Sequence, residues 1–393
     1  MPSDGQFRRN SATATKQPLG SPYVAGPQTS ACCGPVAAAR RRGAWRAGCG
    51  LVGVLLAGLM LPGLLLPGTA RAQGPALRFG EAVPRDVREM YDRGLQFLAS
   101  QQQEAGDWPA GDSGPGHTGL CLLAFLASGE DPNFGLYAGQ VRKALRMIVK
   151  EQNAQTGYLG NSMYHHGFGM LALAEAYGVV DERTLWPGGD PPRSLAQALE
   201  LAVRAAITSQ KKNPLGAWRY SPDSNDADTS VAGAVLVGML AARNAGLEVP
   251  DEAIDRALGY FQKMTSGSGQ VAYSGLGFDD SVARVSIASL VHSIARRKDV
   301  KEYDLTAAYL KARLDQMTAD NWAEYTRYYQ AQALFQADFE DWQKWNKLLI
   351  RQLKQMQQGN GSFRGTMGGE TLDTSLSLLA LALNYRFLPI YER

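Results

Sequence analysis

The sequence predicts an all-α protein, an α/α toroid of about six helical hairpins, on three observations. Apolar residues recur at helical spacing in paired stretches, the first of each pair mixing charge with apolar residues and the second apolar nearly all round. Between the members of a pair stand a Gln, a Gly followed at short distance by an aromatic residue, and a polar residue before the second stretch. Thr118 lies ten residues after Trp108, Asp228 ten after Trp218 and Asp373 ten after Phe363, which is the strongest internal check on the repeat. No strand-rich stretch and no dinucleotide-binding glycine fingerprint competes.

The elements follow in order. Tyr91 to Ser100 forms a first outer helix, Gly106-Asp107-Trp108 and a Gly/Pro/Asp loop follow, and Leu120 to Ala127 is the first inner helix, ended by Gly129. The second pair is Val141 to Gln152 and Met170 to Tyr177, separated by Gly157-Tyr158 and His165-His166-Gly167. The third is Leu195 to Gln210 and Val231 to Ala242, separated by Gly216-Ala217-Trp218 and Asp228-Thr229. Ala253 to Met264 and Val282 to Ala295 make the fourth, with Asp279-Asp280 in a glycine loop between them. The fifth, Leu305 to Met317 and Tyr325 to Gln336 around Trp322, is less regular. The sixth is Asp341 to Gln358 and Leu376 to Leu388, separated by Gly361-Ser362-Phe363 and Asp373-Thr374. A mixed face suits an outer ring and an all-apolar helix must be buried, so six such hairpins close into a double-layered ring with the inner N-termini at one mouth. An open superhelical solenoid is the alternative.

The first 80 residues are of another kind. Residues 1–72 hold eight Lys/Arg against one acid, Asp4, which leaves 32 basic and 36 acidic residues in the rest. That mildly acidic remainder has no basic patch, so nucleic acid is not an expected partner. Residues 1–39, rich in Ser, Ala, Pro and Gly, are expected to be a disordered leader. Residues 40–72 read as a signal peptide or a membrane anchor: Arg40-Arg41-Arg42 and Arg46 precede the apolar run 51–66, and Thr69-Ala70-Arg71-Ala72 supplies a small-x-small cleavage pattern. The run is short for a span of about 20 residues, but 39 residues before the arginines are long for a signal peptide. In both readings the domain at 82–393 is exported, to a periplasmic, cell-surface or secreted location, with membrane association through residues 51–66 if the segment stays. Three of four cysteines lie in the leader, and Cys121 sits in the apolar run Leu120 to Phe125, where a structural thiol is expected.

At this point the chain resembles the prenyltransferase and squalene-cyclase repeat family, in which Gln and Gly-x-Trp or Gly-x-Phe separate an outer from an inner helix. Gln101 to Trp108, Gln210 to Trp218 and Gln355 to Phe363 carry the resemblance, over about residues 88–390. Trp218-Arg219-Tyr220-Ser221-Pro222 with Asp226-Ala227-Asp228-Thr229-Ser230, and Tyr164-His165-His166-Gly167, look like the short exported single-toroid members found in bacteria. The resemblance implies the terpenoid-cyclase toroid; it leaves the activity open.

Class II cyclases of that family protonate an alkene with the middle Asp of D-x-D-D. Here Asp226-Ala227-Asp228-Thr229 admits two registers, one placing Asp228 at the acid and one placing Ala227 there. Helix capping by Asp228 and a hydrogen-bonded loop at Asp226 account for both residues without chemistry. His166 is the candidate partner of Asp228, with His165 and His117 as further candidates from the same layer; each is equally read as a histidine holding its own turn. Three histidines and an aspartate at one mouth form a conceivable metal set, but the family's Asp/Cys/His zinc site is not carried over, and neither metal nor cofactor is expected. Trp218, Arg219 and Tyr220 at the third loop tip, and Tyr325, Tyr328 and Tyr329 on the fifth inner helix, are candidate substrate contacts through cation-π attraction and apolar packing; for Trp218 the competing role is packing hairpins together. Asp279-Asp280 before Arg284 reads as a salt bridge, and Asp373-Thr374 as a repeat of the cap at Asp228.

Two functions follow. One is acid-initiated isomerisation or cyclisation of an isoprenoid or other hydrophobic ligand in a central apolar pocket, with Asp228, Asp226 and His166 as the catalytic group. The other is a non-catalytic module that binds a hydrophobic small molecule or a protein partner at the mouth.

Overall fold

The computed structural model describes residues 83–391, apart from 112, 190, 276 and 316–321. The expected disordered leader at 1–39, signal peptide or anchor at 40–72 and membrane-associating run at 51–66 lie outside the described residues. Twelve α-helices are described and no strand: α1 (Arg85–Gln101), α2 (Pro115–Leu126), α3 (Ala138–Glu151), α4 (Met163–Ala176), α5 (Leu195–Lys212), α6 (Thr229–Asn244), α7 (Asp251–Met264), α8 (Val282–Ile294), α9 (Lys301–Lys311), α10 (Ala323–Ala337), α11 (Phe339–Met356) and α12 (Glu370–Leu381).

Odd-numbered helices bury one stripe: α3 buries Val141, Ala144, Leu145, Ile148 and Val149, the i, i+3, i+4, i+7 pattern of an amphipathic surface helix. Even-numbered helices are buried all round, as α2 is from Pro115 to Leu126 and α6 from Val231 to Ala242. The even helices pack in succession, α2 on α4, α4 on α6, and so on to α12, and α12 packs back on α2. The ring is therefore closed, and the molecule is an α/α toroid. The solenoid alternative is excluded.

A repeated clamp explains why the Gln and Gly of each loop occur where they do. The side chain of Gln102 donates to the carbonyls of Gly106 in its own loop and Gln140 on α3. Gln152 makes the same pair with Gly157 and Ala198, Gln210 with Gly216 and Ala253, and Gln357 with Gly361 and Met90. Each clamp ties a loop to the outer helix of the next hairpin, and the last ties hairpin six to α1. The clamping residues at the two ends are thus Gln102 and Gln357, not the Gln101 and Gln355 of the sequence reading. The glycine is needed because the loop meets the neighbouring helix backbone directly: at Gly361, with φ +91°, a Cβ would stand 2.3 Å from the Arg93 carbonyl oxygen.

Two boundaries differ from expectation. The helix of hairpin six begins at Glu370, so Asp373 lies inside its first turn instead of capping it. Its carboxylate accepts from the N–H groups of Gly365 and Met367 and so shapes the preceding loop. The same helix ends at Leu381, and Leu388 belongs to a tail in which Leu388, Ile390 and Tyr391 are buried. That tail reaches the C-terminal ends of the inner helices: the Ile390 N–H donates to Glu175 of α4, Gln336 of α10 donates to the Tyr391 carbonyl, and α6 packs on 389–391.

Candidate ligand-binding mouth

The inner N-termini open on one mouth, and its third loop is built by local hydrogen bonds. Asn213 donates to the carbonyls of Ser224 and Asp226, and the Asp228 N–H to the carbonyl of Trp218. Trp218 is buried, with its indole N–H on the Ala206 carbonyl of its own hairpin at 2.9 Å. The loop is stitched to both neighbours, because the Met163 N–H donates to the Tyr220 carbonyl and the Thr229 N–H to the Tyr273 carbonyl.

Asp228 is the N-cap of α6, its Oδ1 accepting from the Val231 N–H at 2.8 Å. Its other oxygen lies 3.6 Å from Nε of Arg219, whose Nη1 is 3.5 Å from Asp226. The carboxyl is fully buried, and burial raises its pKa above the ordinary value despite the opposing pull of the Val231 N–H, Arg219 and Tyr273. The Arg219 guanidinium also sits 5.5 Å from the ring of Tyr220 and 5.3 Å from that of Tyr273, whose hydroxyls are 2.8 Å apart. Asp226, Asp228, Arg219 and Tyr220 are thus brought together by the loop. The aspartates share one cation.

The histidines are not brought to Asp228. His166 Nδ1 accepts from the Leu159 N–H, and Nε2 lies 3.0 Å from the Ala202 carbonyl of α5, so the ring is a neutral Nε2–H tautomer used as an inter-helix brace. Burial pulls its pKa down to about 4. The role of His166 as acid partner is therefore corrected: both nitrogens are committed to backbone. His165 Nδ1 accepts from the Gly116 N–H of α2, and His117 Nε2 faces the Thr371 hydroxyl of α12 at 3.2 Å. His165 and His117 thus join successive inner helices, whereas His166 joins an inner helix to the outer helix α5. Among the described residues, no group of three or more His, Cys, Asp and Glu is placed to hold a metal ion.

Tyr325, Tyr328 and Tyr329 meet residues from the opposite side of the ring. α4 and α10 are separated by two inner helices on either side, so contacts between them cross the lumen. Tyr164 and Tyr325 have ring centroids 6.4 Å apart, and Phe168 and Tyr328 6.3 Å. With Tyr164–Phe168, Tyr328–Tyr329 and Tyr325–Tyr329 these contacts form a closed circuit of five rings. Tyr164 also meets Tyr220, 5.9 Å away, which links the circuit to the mouth. The expected open apolar pocket is corrected by this circuit: at this level aromatic side chains span the axis. Tyr164 and Phe168 join the candidate site residues read from the sequence. The i, i+4 spacing of Tyr164 and Phe168, matched by Tyr325 and Tyr329, is the signal that a closed ring makes readable.

Neither a protein-family model nor a curated protein sequence matches the chain. Among solved structures it is similar to the type II terpene cyclase MstE from Scytonema, at TM-score 0.54 and 14% identity over 77% of this chain and 99% of that one. It is also similar to the GH76A α-1,6-mannanase from a Salegentibacter species, at TM-score 0.57 and 8% identity over 76% and 100%. A third is an α-amylase from Clostridium perfringens, at TM-score 0.53 and 13% identity over 76% and 99%. The chain has the terpenoid-cyclase-like α/α toroid fold. At these identities the likeness is one of fold.

Proposed function

We propose that this toroid binds a small hydrophobic ligand of the isoprenoid class at the mouth formed by hairpins two to five, without proton-transfer chemistry. The observation that carries this reading is the aromatic circuit: five rings from opposite inner helices make a floor, and Tyr220, Phe278 and Trp322, each more than two-fifths exposed, stand on loops of three successive hairpins around it. Such a floor with an exposed aromatic rim offers area for stacking, with phenol hydroxyls at hand for a polar end of the ligand. The class of ligand is supported by the likeness of fold to MstE, which has been seen with geranylgeranyl dihydroxybenzoate as substrate.

Arg219, shared by Asp226 and Asp228, works against acid catalysis because a nearby guanidinium favours the anion, although at Asp228 burial outweighs it. A second reading, alkene protonation by Asp228, draws on one observation, the raised pKa of a buried carboxyl. Solvent extraction and mass spectrometry of purified protein separate the two. A prenyl-chain lipid in near-equimolar amount is expected with the wild type and with Asp228→Asn, and about tenfold less with Tyr220→Ala, whose side chain is exposed. A different lipid accumulating in Asp228→Asn establishes catalysis. Recovery of no lipid from any form overturns the ligand reading.

A further inference from the structure

Phe134, Leu136 and Val179 are 84%, 76% and 47% exposed, and they lie on neighbouring loops at the opposite end of the toroid. They sit in the connections from α2 to α3 and from α4 to α5, joined through Asn133, whose side chain donates to the Val179 carbonyl and accepts from the Asp181 N–H. The turn that presents them is held in shape. Asp131 Oδ1 accepts from the N–H groups of Asn133 and Phe134, its carbonyl accepts from the Gly135 N–H, and Arg142 donates to the Asn133 carbonyl. Tyr137, next in the chain, is buried against Phe125 and fastens the turn to the core. A turn ordered by its own hydrogen bonds thus holds a Phe and a Leu out in water, where exposed apolar clusters mark an interaction surface.

We propose that this rim docks on the surface of a lipid bilayer. Two arguments select that occupant. The first is the place where the described chain begins: the start of α1 lies at this end, as the bond from the Tyr91 hydroxyl to the Ala124 carbonyl near the end of α2 shows. The apolar run 51–66, expected to enter or cross a membrane, precedes that point by a short stretch of chain. The second is shape. Side chains this exposed on a projecting turn have no preformed complement to fill, and a fluid bilayer interface accepts them without one. Glu130, Asp131, Asp181 and Glu182 stand beside them, and Arg183 is paired to Asp181, so attraction to anionic headgroups is not part of the interaction.

The test uses the full chain mixed with phosphatidylcholine vesicles, with and without acyl-chain bromination. Phe134→Trp adds one indole at the rim to the seven native tryptophans, and Tyr220→Trp adds one at the other mouth. Bromolipid is expected to quench at least half of the emission added by Phe134→Trp and none of that added by Tyr220→Trp. Absence of extra quenching at residue 134, or quenching at residue 220 instead, overturns the proposal. Binding strengthened tenfold by phosphatidylserine overturns it too. Sedimentation velocity covers the remaining occupant: a dimer that the double variant F134S/L136S dissolves assigns the rim to a second copy of the chain.

Discussion

His165 and His166 are adjacent in sequence and serve different neighbours, His165 bracing α2 and His166 bracing α5. Neither of these braced helices is deducible from local spacing, because each belongs to another hairpin; only the Leu159 N–H on His166 is local. Asp228 was legible for the opposite reason: a cap bonds to a residue three positions on, and capping is a local property. The burial of His166 has a consequence for stability against acid. Its pKa is about 4 in the folded protein against 6.5 as the reference value. Between these values the unfolded chain takes up a proton that the folded chain refuses, so the contribution is full above about pH 6.5 and lost as pH falls towards 4. For a fully buried ring the loss is on the order of 3 kcal/mol. Burial also lowers the pKa of His292, which works in the same direction. Urea unfolding between pH 6.5 and 4.5 is expected to show His166→Gln losing less stability than the wild type, by about 1.4 kcal/mol per pH unit. Parallel pH profiles of the two proteins would contradict the assignment.

At the scale of elements, the helices were readable because amphipathic and all-apolar stripes are written in a short window. Starts were less so. Asp373 has the residue type and spacing of a cap, yet α12 begins earlier, at Glu370, since the loop before it is held by Asp373 and by Glu324 of α10, which accepts from the Thr366 N–H. The loop glycines belong to the same scale. Gly361→Ala is expected to cost more than about 2 kcal/mol, because the clashing atom is a helix carbonyl and the backbone is left-handed. Gly259→Ala in the middle of α7 meets nothing within 4 Å and is expected to gain about 0.5–1 kcal/mol. Chemical denaturation of the two variants beside the wild type checks both signs at once.

Closure depends at the scale of the whole molecule on contacts between its two ends, the packing of α12 on α2 and the bond from Gln357 to Met90. Gln357→Ala leaves two carbonyls without their donor and is expected to cost about 1–3 kcal/mol. Hydrogen exchange in α1 and α11 should then rise at least tenfold, while α5 to α8, on the far side, change little. Uniform acceleration around the ring would show instead that the toroid opens only as a unit. The twelve helices, their pairing and the all-α class were determined by the sequence alone, because helical periodicity, glycine tips and caps act over a few residues. Whether the ring closes, which rings cross its axis and which partners occupy the histidines were decided by the tertiary structure. The closing and axis-crossing contacts join residues many helices apart, and the histidine contacts reach into other hairpins, so no local pattern records them.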